Sequence, residues 1–376
     1  MIAWGSAPYP GSVARAPRLR SGRPEPVEGS QARCARLGEF SVKGTIQRVK
    51  AVLCRQFGPP ESLVVDDVPS PRPGPGSVVV SVKAAGVNFP DVLIIQDKYQ
   101  FKPPLPFSPG CELAGIVKEV GEGVVRVKPG DAVMAYTTYG AFAEEATVDA
   151  ERLLPIPEGM DFVSAAAFPL TYATVDHALH DRGGLRTGET LLVLGAAGGI
   201  GVAAIEIGKA LGARVIAAAS SDDKLAVCRQ HGADETINYA AGDLREQVKQ
   251  LTGSAGVDVV CDPVGGPYSE PALRSLAWRG RLLVIGFAAG EIPKIPLNLT
   301  LLKGCSIVGV FWGEFTRREP DRFAATVSRL ATWYREGKLR PHVSQTFPLE
   351  RTADALALMA GRQVKGKLVI TLDRTV

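Results

Sequence analysis

The run Thr190-Leu-Leu-Val-Leu-Gly195-Ala196-Ala197-Gly198-Gly199-Ile200-Gly201 sets three glycines at the spacing GxxGxxG between an apolar stretch and a helical one. In that context glycine lets the backbone turn tightly and approach a pyrophosphate, whose negative charge meets the amides of the helix N-terminus. Gly195, Gly198 and Gly201 therefore point to a dinucleotide site, and Ala196, Ala197, Gly199 and Ile200 belong to the same turn. A glycine-rich strand-to-helix turn without a ligand is the plainer alternative. It is outweighed because a strand, a helix and a second strand all fall in their required places.

The second strand, Arg214–Ala219, ends on Ala219-Ser220-Ser221. NAD sites usually carry an acid here, about 20 residues past the glycines, to bind the ribose 2′-hydroxyl. Ala219 offers no such acid, Ser220 offers a hydroxyl, and Lys224 lies one turn into the next helix. A 2′-phosphate meets no repulsion here, so NADPH is favoured. Ser220 or Ser221 capping a helix with Asp222 and Asp223 in its first turn is the competing reading, and the two can coexist.

Other chemistry-bearing residues carry less. His177 and His180 lie three apart on a helical stretch but have no third ligand nearby, so they read as surface residues and no metal is expected. The six cysteines, at 34, 54, 111, 228, 261 and 305, form no CxxC pair, which argues for a reducing, cytoplasmic setting. The formal charge of +4 sits largely in the first 50 residues, where Arg15, Arg18, Arg20, Arg23, Arg33 and Arg36 face only Glu25, Glu28 and Glu39. A basic tail is not a nucleic-acid-binding face, so no nucleic acid is expected as partner. The longest apolar stretch, Leu191–Gly212, is interrupted by glycines, Glu206 and Lys209, so a soluble protein without a membrane span is expected.

These residues need elements to hold them. With 376 residues the chain has room for two domains. Residues 1–48, rich in Pro, Gly, Ser and Arg, show no periodicity and read as a disordered extension. A presequence, or translation beginning at Val49, would account for them. From Val49 to Ala150 short strands (Val49–Arg55, Leu63–Val68, Val78–Ala85, Leu113–Val120, Ala132–Tyr136) alternate with turn signals. Beyond Ser164 strands alternate with helices: Thr190–Leu194, Gly201–Leu211, Arg214–Ala219, Asp222–His231, Val257–Asp262 and Gly280–Gly286. That alternation predicts βαβ units and a doubly wound parallel sheet of the Rossmann type in an α/β protein. An amphipathic helix is predicted over Pro320–Gly337 and a last strand over Lys367–Leu372. The apolar strand Cys305–Phe311 would leave an open sheet edge, for which a homodimer pairing the edge with its copy is expected and cover by a loop or the N-terminal segment is the alternative.

From Val49 to Leu372 the chain resembles the medium-chain dehydrogenase/reductase superfamily, and within it the zinc-free quinone oxidoreductases related to zeta-crystallin. The resemblance rests on Ala84-Ala-Gly-Val-Asn88-Phe-Pro-Asp91, Pro109-Gly110-Cys111-Glu112-Leu-Ala-Gly115, Lys128-Pro-Gly-Asp131, Gly195–Gly201 and Asp262-Pro-Val-Gly265-Gly266. It implies a β-rich GroES-like catalytic domain over 49–170 and 312–376, with the Rossmann domain over 171–311. Zinc-dependent relatives carry Cys where this chain has Asn88 and His where it has Cys111, so the resemblance implies no metal. It places Asn88 beside nicotinamide and acceptor, Asp91 in support, Tyr99 near the pocket and Thr171 at the carboxamide. It assigns Lys224 and Tyr239 to the 2′-phosphate, Val264 to the ribose, Phe287 to the nicotinamide, and Lys365 and Lys367 to the phosphates. The implied reaction is hydride transfer from NADPH to a quinone. An enone reductase and a non-catalytic NADPH-binding protein are the alternatives.

Overall fold

The computed structural model describes residues 47–372. The expectation for residues 1–48 lies almost wholly outside them. Six strands form a parallel sheet in the spatial order Glu235–Asn238, Arg214–Ala219, Thr190–Leu194, Val257–Asp262, Leu276–Val284, Ser306–Gly309. Numbered along the chain this is 3-2-1-4-5-6, the doubly wound order whose crevice lies at the carboxyl ends of the first and fourth strands. Helices cover both faces, so both must be apolar. Leu191 and Val193 enter one core, Leu192 and Leu194 the other.

The second sheet has seven strands and is mixed. Its long strand, Ser77–Val87, pairs antiparallel along one side with Glu112–Val120. On its other side it pairs with Glu145–Asp149 at its start and with Lys367–Thr371 at its end. Val343–Pro348 lies parallel to Lys367–Thr371, while Ala132–Tyr136 and Leu153–Pro155 extend the opposite flank. The register brings Leu368 opposite Val87 and Glu112 opposite Gly86, so the sequence-distant ends of three strands converge on Asn88.

The amphipathic helix predicted near the carboxyl end runs Pro320–Arg335, burying Phe323, Thr326 and Leu330, and Gly337 beyond it takes a positive φ of 71°. Of the short strands that escape the alternation reading, Glu235–Asn238 has only Ile237 buried, and Val343–Pro348 only Phe347. Each lies at the edge of its sheet, where one apolar anchor suffices.

Candidate cofactor and acceptor site

The strand Thr190–Leu194 enters its turn through Gly195, at φ 58°, and the helix Gly199–Ala210 begins after Gly198. A Cβ on Gly201 would stand 2.5 Å from backbone atoms of Ala196, and one on Gly195 would stand 2.8 Å from Val264. The glycines thus bring helix, turn and neighbouring loop into contact. The turn is tied to the far end of the chain, since the Gly366 amide donates to the Ala197 carbonyl at 2.6 Å. Buried Ala196 and Ala197 and half-buried Ile200 complete this turn.

At the end of the second strand Ser220, Lys224 and Tyr239 converge. The Lys224 ammonium donates to Ser220 Oγ at 3.2 Å and to the Arg362 carbonyl at 3.0 Å. The Tyr239 ring lies 4.5 Å from that of Tyr268, and its hydroxyl shares a hydrogen bond with Ser220. Burial, and then the like charge of Lys365, push the Lys224 pKa down. Two neighbouring cations, one of them on the Ser220 hydroxyl, suit an anion. Lys365 also reaches Asp223, at 3.7 Å. The serine reading resolves cleanly: Ser221 occupies the N-cap without a side-chain cap bond, Asp222 and Asp223 fill the first turn, and Ser220 is the serine that meets Lys224.

Across the crevice, Asp262 organises the loop after the fourth strand. Its carboxylate accepts from the amides of Val264 at 2.9 Å and Gly265 at 2.8 Å and from the Ser269 hydroxyl at 2.6 Å. Val264 is thereby set against Gly195 and Phe287 against Gly265.

The acceptor end is a buried polar cluster. Asn88 is the N-cap residue of the helix Phe89–Ile94, and the Asp91 carboxylate reaches back to accept from the Asn88 backbone amide at 2.8 Å. The Asn88 side chain donates to Glu112 at 2.8 Å and accepts from the Lys367 ammonium at 2.6 Å. Lys367 also bonds Glu112, whose second oxygen takes the Leu170 amide at 3.0 Å. Glu112 is fully buried, and Lys367 and Asn88 are 4% and 5% exposed. The Lys367 stem passes beneath the cofactor turn: a Cβ on Gly199 would lie 2.8 Å from its Cδ and 3.1 Å from the Thr171 methyl. Thr171 donates its hydroxyl to the Ala167 carbonyl at 2.8 Å, leaving its oxygen lone pairs as acceptors.

Burial pushes the Asp91 carboxyl up to about 7, against the pull of the Asn88 amide and Lys367. Burial and the neighbouring carboxylates hold the Cys111 thiol well above its usual range, and the thiol hydrogen-bonds Asp91. Tyr99, half-buried beside this pair, is raised to about 12 by burial and by those two groups.

Of the sequence-expected residues, Asn88, Asp91, Tyr99, Thr171 and Lys367 come together, with Gly199 against them. Ser220, Lys224, Tyr239 and Lys365 form a second group, and Val264 and Phe287 a third. Lys367 was expected at the phosphates, yet its ammonium lies on Asn88 and Glu112. Glu112 was missed as a site residue; the signal was a lone acid opening the apolar strand Glu112–Val120. His177 is not a surface residue as expected. It is 5% exposed, stacked 4.0 Å from Phe315, with Asp181 2.8 Å from its Nδ1. An aromatic neighbour buries a face that spacing alone left ambiguous. Among the described residues no three His, Cys, Asp or Glu side chains are grouped to hold a metal ion, and no helix is long and apolar enough to cross a membrane.

Two family profiles match: "Alcohol dehydrogenase GroES-like domain" over residues 74–158 and "Zinc-binding dehydrogenase" over residues 199–332. The chain is 41% identical to a quinone oxidoreductase-like protein 2 of Bos taurus over 332 residues, 88% of this chain and 94% of that protein. It is 34% identical to a quinone oxidoreductase of Rattus norvegicus over 309 residues, 82% and 92% of the two chains. The Escherichia coli quinone oxidoreductase, solved in complex with NADPH, superposes with a TM-score of 0.81 at 29% identity, covering 86% of this chain and all of the other. An oxidoreductase built on a GroES-like domain and a Rossmann sheet, the chain belongs to the quinone oxidoreductase family of the medium-chain dehydrogenases/reductases.

Proposed function

We propose that the protein is an NADPH-dependent reductase that transfers hydride to a quinone without zinc. The observation that carries this reading is the joining of the cofactor turn to Asn88 by one buried side chain, Lys367, so that cofactor and acceptor residues form one site. The residues fit the cofactor. Gly195–Gly201 present turn amides to a pyrophosphate, and Ser220, Lys224, Tyr239 and Lys365 would hold a 2′-phosphate where Ala219 places no opposing acid. Bound NADPH supplies the hydride. The chain's own residues orient the acceptor, with Asn88 as hydrogen-bond donor, Tyr99 as a wall and the cores of both sheets excluding water.

The donors do not suit zinc. Asn88 offers a neutral amide already bonded to an ammonium, which a dication would have to displace. Burial pushes the Cys111 thiol up, away from the thiolate that a zinc ligand must become. Stopped-flow oxidation of NADPH and NADH against a panel of quinones and enones tests the reading. We expect quinone turnover that survives chelation, in protein without stoichiometric zinc. Turnover of enones alone would replace the acceptor class. Equal kcat/KM for both cofactors, or loss of turnover with zinc removal, would each strike out that part of the proposal.

We also propose a homodimer formed through the edge strand Ser306–Gly309. Around it Leu297, Leu301, Leu302 and Trp278 are 76%, 80%, 70% and 73% exposed, a dense apolar patch beside unpaired backbone groups. Light scattering should give a dimer mass, and Leu301→Asp a monomer. A monomer mass for the unaltered protein would overturn this.

A further inference from the structure

We propose that Lys367 and Glu112 act as a positioning pair that fixes the amide of Asn88 in one orientation, leaving one of its N–H groups as the donor for the acceptor's carbonyl oxygen. The inference rests on the reading of Asn88 as the residue beside the acceptor.

An asparagine amide has two nearly isosteric ends, and its hydrogen-bond partners decide which way it faces. Here the partners are unambiguous. An ammonium only donates, so Lys367 selects Oδ1, at 2.6 Å. A carboxylate only accepts, so Glu112 selects Nδ2, at 2.8 Å. The flipped amide would set N–H against ammonium and oxygen against carboxylate, two repulsive contacts in a buried site. Of the two N–H groups on Nδ2, one is held by a charged acceptor. The other reaches only the Gly86 carbonyl at a long 3.3 Å, a bond that an incoming carbonyl oxygen can replace.

The pair is itself rigidly held. Glu112 is anchored from its other oxygen by the Leu170 amide. Its carboxylate crosses the neighbouring strand at Gly86, where a Cβ would collide with that carboxylate. Lys367 is fixed through its backbone, since its amide donates to the His342 carbonyl at 2.8 Å and Gly366 before it bonds the cofactor turn. Its stem lies under Gly199. The orientation of Asn88 is therefore set from the same turn that seats the cofactor. A donor held in place before the acceptor arrives needs no reorganisation during reaction.

The test uses the full-length protein and three variants: Lys367→Met, Lys367→Arg, and the double variant Lys367→Met with Glu112→Leu, which leaves no unpaired charge in the core. NADPH affinity is read by titrating the fluorescence of the reduced nicotinamide, and kcat with one quinone at saturating NADPH. We expect kcat to fall about 10–100-fold in Lys367→Met and in the double variant, less than for outright loss of a donor. Lys367→Arg should recover most of that loss. The NADPH Kd should stay within about threefold of wild type throughout, because the pair acts on the acceptor side. A double variant with wild-type kcat would overturn the proposal. So would an NADPH Kd that rises in step with the loss of kcat, which would mark Lys367 as a phosphate contact. A double variant that fails to fold in a urea titration would make the pair structural and overturn its positioning role. Failure of the wild-type protein to bind NADPH would instead refute the site reading itself, and the pair's role with it.

Discussion

In the parallel sheet, the turn proposed to seat the cofactor is made by residues adjacent in the chain, Gly195 to Gly201, between a strand and the helix that follows it. In the mixed sheet, the acceptor cluster is made by residues 279 positions apart, Asn88 and Lys367, brought together by strand register. The first region works through backbone and needs little but glycine. The second works through buried charge, which is stable only when every partner is present. A local site tolerates alteration around it, whereas a non-local one depends on the whole sheet closing correctly.

The sharpest way to break this contrast is to leave one buried charge alone. Glu112→Leu strands the Lys367 ammonium in the core and should cost about 3–5 kcal/mol of stability, measured by urea denaturation. A cost under about 1 kcal/mol would mean that the cluster is not a constraint on the fold.

Asp91 tests the same region through pH. Its folded-state pKa of about 7 is raised above the ordinary 3.8, so burial favours the protonated acid. The stability this contributes is full below pH 4 and is lost as pH rises through 7, to a limit of roughly 4 kcal/mol. Asp91→Asn should therefore gain stability relative to wild type between pH 5 and pH 8. Parallel melting-temperature profiles across that range would contradict the assignment.

The cofactor turn should separate fold from binding. Gly201→Ala drives a Cβ to 2.5 Å from Ala196 backbone and should cost about 2–3 kcal/mol in the same urea titration. Gly198→Ala meets nothing closer than 3.4 Å at an ordinary φ of −81°, so it should fold normally and lose NADPH affinity. Equal losses of stability in both would erase the distinction between these glycines.

The smallest effect is expected at Lys224. Replacement by Ala should raise KM for NADPH roughly tenfold, with little change for NADH, since one hydrogen bond to phosphate contributes about 1.5–3 kcal/mol. An equal rise for both cofactors would move Lys224 away from the 2′-phosphate.

The parallel sheet was legible in the sequence because its signals are short-range: apolar strands, glycine turns and caps in fixed order. Five of its six strands were read as such, with Glu235–Asn238 lost for want of more than one buried side chain. In the acceptor cluster the residue types were visible, but their partners were not. Nothing local says that Lys367 lies opposite Asn88, because that follows from an antiparallel register of Leu368 on Val87. The resemblance supplied Asn88 and Tyr99, and sent Lys367 to the phosphates. Its tip turns instead to the carboxylate of Glu112, an acid that stood in a family motif just before the strand read from Leu113 and was given no role. His177 failed for a related reason: the Phe315 ring that covers it lies far along the chain.

The joining of Ser77–Val87 to Lys367–Thr371 also orders events in time. A ribosome adding 5–20 residues per second needs on the order of 15–60 s to travel the 279 residues from Asn88 to Lys367. For all of that interval the nascent catalytic sheet lacks its inner strand, and Glu112 has no cation to face. The parallel sheet, whose last strand ends at Gly309, can assemble on the growing chain well before then. Vectorial synthesis thus lets the parallel sheet form first and the Asn88–Glu112–Lys367 cluster last, and a chain cut short before Lys367 would carry that sheet without the cation of the cluster.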